Sequence, residues 1–167
     1  MSNENPLVGV VMGSTSDADV MEGCTDVLRQ LTVPHEVRVI SAHRTPKRAR
    51  EYAESADGRG LEVIIAGAGW AAHLAGFIAA HTTLPVIGIP IDSSPLQGMD
   101  ALLSTVQMPP GIPVATVALG RGGAKNAAVL AAQILALKHT SIAAKLKAYR
   151  EGLTQEAIEK GKKWEKK

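Results

Sequence analysis

Five short apolar runs punctuate the chain at fairly even intervals, at residues 7–12, 35–40, 61–66, 85–89 and 113–119. Each is rich in Val or Ile and too short for a typical helix, so the pattern predicts five strands. Helical signals lie between them. Residues 17–31 carry apolar positions at Val20, Val27, Leu28 and Leu31. Thr45 and Pro46 supply an N-cap and a first-turn proline for a helix ending near Asp57-Gly58. Helices are also expected over 71–82 and 124–137, with a shorter one over 99–107. Strands that alternate with helices imply parallel βαβ units. The expected fold class is therefore α/β, a three-layer, doubly wound parallel sheet of Rossmann-like type. No repeat, low-complexity tract or linker interrupts it, so residues 1–167 read as one domain with a core over about 7–137. A C-terminal helix follows from about 141 to 163, with a basic, frayed end.

Two of these helices are unusually apolar. Residues 127–137 contain one polar side chain, Gln133, and residues 71–80 only His73. A helix that is apolar all round must be covered all round. The outer layer of a doubly wound fold leaves one helix face open, so a subunit interface is the expected cover. The C-terminal helix adds a seam at Ile142, Leu146, Tyr149, Leu153 and Ala157. That seam could pack on a neighbouring subunit or on its own sheet, and the pattern does not choose.

Composition narrows the function classes. At 167 residues a domain buries roughly 70% of its unfolded surface and needs no disulfide staples. Aromatics are only 3%, so Ala, Val, Leu and Ile must build the core. A net charge of +2 argues for neither a nucleic-acid nor a membrane partner. A lone cysteine, Cys24, fits a reducing compartment, and the polar first six residues do not read as a signal peptide. A cytoplasmic location is expected.

Candidate chemistry collects after the strands, where open parallel sheets bind ligands. Gly13-Ser14-Thr15-Ser16-Asp17 follows the first run and Ser41-Ala42-His43-Arg44-Thr45-Pro46 the second. Gly67-Ala68-Gly69-Trp70-Ala71-Ala72-His73 follows the third, and residues 120–126 the fifth. These loops are expected to converge on one sheet edge. The first leads into a helix N-terminus with two serine hydroxyls, which suits an anion, although Ser16 or Asp17 could equally be a simple N-cap. It lacks the G-K-[ST] ending of a P-loop, and no G-x-G-x-x-G spacing supports a dinucleotide site. Arg44 can hold a phosphate or carboxylate bidentately. Histidine ordinarily titrates near 6.5, so His43 suits proton transfer at neutral pH. His73 is either a packing residue or a site residue. No ligand spacing supports a metal site. Trp70 is a pocket wall or an interface plug, and Lys125 reads as solvated.

Taken together, the stretches at 11–17, 41–46, 66–76, 85–90 and 103–135, the last including Val106-Gln107-Met108-Pro109, resemble the 5-(carboxyamino)imidazole ribonucleotide mutases, the PurE enzymes. The resemblance runs from about Leu7 to Leu137. It implies a flavodoxin-like fold and a homo-octamer in which the C-terminal helix reaches a neighbour. It further implies an isomerase of purine biosynthesis that moves a carboxylate from an exocyclic amine to the adjacent ring carbon, without metal, ATP, biotin or other cofactor. By the same resemblance His43 is the general acid and base. Arg44 clamps the phosphate, helped by Ser16, and Asp17 takes the ribose hydroxyls. Ser14, Ala68 and Gly69 line the imidazole and carboxylate site, with His73 and Leu74 nearby, and Ser41 also binds substrate. A small apolar wall of Ala68, Ala71 and Leu74 would retain the carbon dioxide freed midway. A direct carboxylase using carbon dioxide and a non-catalytic nucleotide-binding module are the alternatives. Three positions depart from the family pattern: Trp70 stands for a glycine, Ala75 for a proline and Ala18 for a tryptophan. The expectation is that Trp70 fills the space left by Ala18.

Overall fold

The computed structural model describes residues 5–165. The outermost residues of the basic tail, 166–167, lie outside that range, as do residues 1–4 of the polar N-terminal segment. Five strands, β1 (Val8–Met12), β2 (His35–Val39), β3 (Val63–Gly69), β4 (Val86–Ile91) and β5 (Ala115–Thr116), form one parallel sheet in the order β2-β1-β3-β4-β5. The six α-helices are α1 (Ala18–Gln30), α2 (Pro46–Ser55), α3 (Leu74–Ala79), α4 (Met99–Val106), α5 (Gly120–Ala136) and α6 (Thr140–Glu165). This order is the flavodoxin-like one, with its switch point between β1 and β3.

Alternating strand residues feed two cores. On one face Val8, Val10, Ile65, Ile87 and Ile89 meet Met21, Leu28, Ala124, Ala128 and Leu135 of α1 and α5. On the other, Val11, Ile64 and Ala66 meet Ala49, Tyr52 and Ala53 of α2 and Leu74 and Ile78 of α3. With almost no aromatics inside, close approach does the packing. A Cβ on Gly67 would collide with Met21 Sδ, so the bare backbone of β3 lets α1 settle onto the sheet.

Four expected elements change. Gly67, Ala68 and Gly69, expected in the loop after the third strand, are the last residues of β3. The fifth strand shrinks to two residues, with Val117 N–H still bonded to Gly88 O at 3.1 Å. The chain then leaves the sheet for Gly120, whose φ of +66° starts α5. Residues 120–126, expected as a loop, are thus the first turns of α5. The helix expected over 71–82 begins only at Leu74, because Trp70 takes a left-handed φ of +55° and His73 N–H folds back to Ala71 O at 2.8 Å.

The C-terminal seam divides. Ile142 is buried in the α1–α5 core, and Leu146 and Tyr149 pack against it. Leu153 and Ile158, further along α6, are half-exposed. Among the described residues no helix is long and apolar enough to cross a membrane.

Candidate active site

The register brings the strand ends level. Met12 stands opposite Val39 and Gly67, and Gly69 opposite Ile91. Backbone bonds carry this alignment into the loops: Gly13 N–H reaches Gly67 O at 3.2 Å and Ile40 N–H reaches Met12 O at 2.9 Å. The loops after β1, β2, β3 and β4 therefore open onto one cavity of about 540 Å³.

Ser14, Ser16, Asp17, Ser41, His43, Arg44, Ala68, Gly69, His73 and Leu74, each expected in a site, all line it. Gly13, Ala42, Trp70, Ala71 and Ser93 complete the wall. Ser93 is the one the sequence reading passed over. It follows β4 as the others follow their strands, so the strand-end rule would have found it. Residues 120–126 contribute nothing to the lining. Arg121 instead crosses to α1, donating to Asp19 O at 2.6 Å, and Lys125 is exposed on α5.

The β1 loop is a single turn of 3₁₀ helix, Thr15–Asp17, running into α1. Its cap is Ser14, not Ser16 or Asp17: Ser14 Oγ accepts from Ser16 N at 3.3 Å and from Ser16 Oγ at 2.9 Å. Asp17 makes no side-chain cap bond. It is only 5% exposed. Burial holds its carboxyl above the usual range, against the opposing pull of the Ser14 backbone, the Arg44 charge and the Ser16 hydroxyl. An acid kept so close to an arginine and two serines, yet short of full compensation, is poised to accept from a ligand's hydroxyls.

The β2 loop is knotted by its own hydroxyls. Thr45 Oγ1 accepts from Ser41 N at 3.1 Å and donates to Ser41 O at 2.9 Å, while Ser41 Oγ accepts from Arg44 N at 3.1 Å. Thr45 occupies the N-cap position of α2 but spends its side chain on Ser41, so it caps no helix N–H. The result projects His43 and Arg44, both exposed, into the cavity. Arg44 Nη2 donates to Gly13 O at 3.1 Å, beside the serines of the β1 loop. A guanidinium, two hydroxyls and a helix start together can receive a phosphate.

His43 Nε2 lies 2.8 Å from His73 Nδ1, with the rings edge-to-face at 87°. His73 precedes α3 and is exposed on the cavity side, which gives it a site location and not a packing one. Among the described residues no group of three or more His, Cys, Asp or Glu side chains could hold a metal ion.

Trp70 does not fill the space beside Ala18. Trp70 is 59% exposed and is one of the residues lining the cavity, while Ala18 packs against the α1–α5 core. The left-handed φ at Trp70 is one that glycine adopts freely and a bulky side chain seldom does. Ala75 is the second residue of α3, a first-turn place where proline fits without losing a helix bond.

A family described as AIR carboxylase matches residues 7–156. A protein of Pyrococcus horikoshii named N5-carboxyaminoimidazole ribonucleotide mutase is 56% identical over 99% of this chain and 92% of its own. A protein of the same name from Bacillus subtilis is 57% identical over 92% of this chain and 95% of its own. The crystal structure of Treponema denticola PurE superposes with a TM-score of 0.82 at 32% identity, covering 95% of this chain and 98% of that one.

Proposed function

The chain belongs to the AIR carboxylase family, and we propose that it is an isomerase of purine biosynthesis that turns N5-carboxyaminoimidazole ribonucleotide into 4-carboxy-5-aminoimidazole ribonucleotide. The observation that carries this reading is the meeting of His43, Arg44, Asp17 and the β1-loop serines in one cavity, in a chain more than half identical to proteins bearing the mutase name.

The ribonucleotide phosphate binds Arg44, Ser16 and the start of α1, in place of the Gly13 carbonyl that Arg44 now holds. The ribose hydroxyls donate to Asp17. This sets the imidazole among Ser14, Ser41, Ala68 and Gly69, within reach of His43. His43 protonates the exocyclic nitrogen as its bond to the carboxylate breaks, releasing carbon dioxide and leaving the neutral aminoimidazole. Ala68, Ala71 and Leu74 form a small wall against its escape. The adjacent ring carbon then bonds to carbon dioxide, and His43 takes the proton from that carbon. His43 gives one proton to the exocyclic nitrogen and regains one from the ring carbon, so atoms and charge balance with no second substrate. One residue serving both transfers is most efficient when its ordinary pKa is near ambient pH, which histidine satisfies. His73, bonded to His43, fixes the ring and its tautomer.

We also read the chain as part of a homo-octamer, with the distal half of α6 against a neighbour. The support is the half-exposed Leu153 and Ile158 on a helix whose first turns already pack at home.

The test uses freshly made N5-carboxyaminoimidazole ribonucleotide without ATP, beside a second tube of aminoimidazole ribonucleotide and bicarbonate. Conversion above the spontaneous background in the first tube alone is expected. Conversion in the second alone would make the protein a direct carboxylase.

A further inference from the structure

Trp70 is a feature that the reaction as described does not use. We propose that its indole is the stacking wall for the aminoimidazole ring, a binding residue that this chain adds to the site; the proposal rests on the mutase reading above. Four observations carry it.

The first is location. Trp70 lines the same cavity as His43 and Arg44, and it is the only Trp, Tyr or Phe that does. Tyr52 is buried, and Phe77 and Tyr149 pack against the two cores. The second is exposure. At 59%, the indole leaves a large apolar surface uncovered beside a polar cleft. The third is backbone. A φ of +55° disfavours any side chain, yet the loop retains it under a bulky one. Both flanks are pinned. Gly69 sits so close to Ser93 that a Cβ would collide with the hydroxyl, and Ala72 N–H is held by Ser104 Oγ at 3.0 Å. The indole is therefore presented from a fixed frame. The fourth is the absence of another flat wall. Gly13, Ala68, Gly69 and Ala71 offer no ring, and His43 and His73 are committed edge-to-face to each other. Besides the two paired imidazoles, an aminoimidazole placed against His43 finds one larger aromatic ring in the lining, that of Trp70. Base–aromatic stacking of this kind is a substantial binding contribution.

The experiment uses the full chain with Trp164→Phe, so that Trp70 is the only indole, and adds Trp70→Gly and Trp70→Phe. Glycine suits the φ at this position, so the fold is not at risk. Emission of Trp70 should change saturably on titration with 4-carboxy-5-aminoimidazole ribonucleotide. Trp70→Gly should raise the KM and the product Kd by about 5- to 100-fold with kcat within about 2-fold, and Trp70→Phe should recover most of the affinity. Unchanged emission together with unchanged KM in Trp70→Gly would overturn the proposal. So would a Trp70→Gly protein that keeps its affinity but changes oligomeric state, since the indole would then be a subunit contact. Failure of the mutase reading looks different: the parent protein would not turn the substrate over at all.

Discussion

His43 and His73, thirty residues apart in sequence, share one hydrogen bond of 2.8 Å between Nε2 of the first and Nδ1 of the second. Such a bond requires one nitrogen to donate and the other to accept, so the pair holds a single proton between its facing atoms. A residue that the β3 loop supplies thus shares the proton on the facing side of His43.

Removing either ring separates chemistry from positioning. His43→Asn should keep ribonucleotide affinity and abolish turnover, a fall of at least ~100-fold in kcat. His73→Phe should lower kcat by about 10- to 100-fold and alter the pH dependence of kcat, with a smaller effect on KM. Steady-state kinetics across pH 5 to 9 checks both, and an unimpaired His43→Asn enzyme would remove this residue from the mechanism.

Arg44 should act on binding. Its guanidinium already rests on Gly13 O beside Ser14 and Ser16. Arg44→Leu should raise the KM by more than ~10-fold, the scale of one charge-assisted contact, and weaken inhibition by ribose 5-phosphate in parallel. Equal inhibition of parent and variant would place the phosphate elsewhere.

Asp17 opposes stability at neutral pH. Burial raises its folded-state pKa above the unfolded value. A group raised in this way contributes most below the unfolded pKa, and the contribution disappears as pH rises through the folded one. At neutral pH Asp17 is therefore a cost to the fold. Asp17→Asn should raise Tm by a few degrees at pH 7, with little change near pH 3, while weakening substrate binding. Calorimetry at the two pH values decides.

Cys24 should be silent. It is fully buried in α1, and burial pushes its thiol up to about 12. A native sample should show no reaction with a disulfide reagent over minutes, and one thiol per chain after denaturation. Fast labelling of the native protein would mean that α1 opens readily.

The apolar runs located four of the five strands well, because β1, β3 and β4 are buried on both faces and read as near-continuous hydrophobic stretches. The fifth fell short, since the pattern of 113–119 cannot register that the chain turns away at Gly120. The site was legible through its strand-end positions and the Ser-Ala-His-Arg-Thr-Pro stretch. What the sequence could not convey was pairing at a distance. His73 meeting His43, Ser104 holding Ala72, and Ser93 filling the space beside Gly69 all depend on the sheet being assembled. Trp70 was misplaced for the same reason: its partner was sought in Ala18, while its backbone angle, invisible in sequence, directs it to the cavity.

The loop bearing His43 and Arg44 hangs from β2, an edge strand joined to the sheet through β1 alone, with Val37 and Val39 each 40% exposed. Within the subunit it has one neighbour to part from, as has the two-residue β5 at the opposite edge, and of these two edges it alone carries a loop of the cavity. His43 and Arg44 are mounted on the margin of the structure, and Ser14, Ser16 and His73 on loops of the interior strands β1 and β3. Warming should release the margin first. The enzyme then falls idle while most of its secondary structure still stands, and its heat tolerance as a catalyst is set by one strand and not by the whole fold.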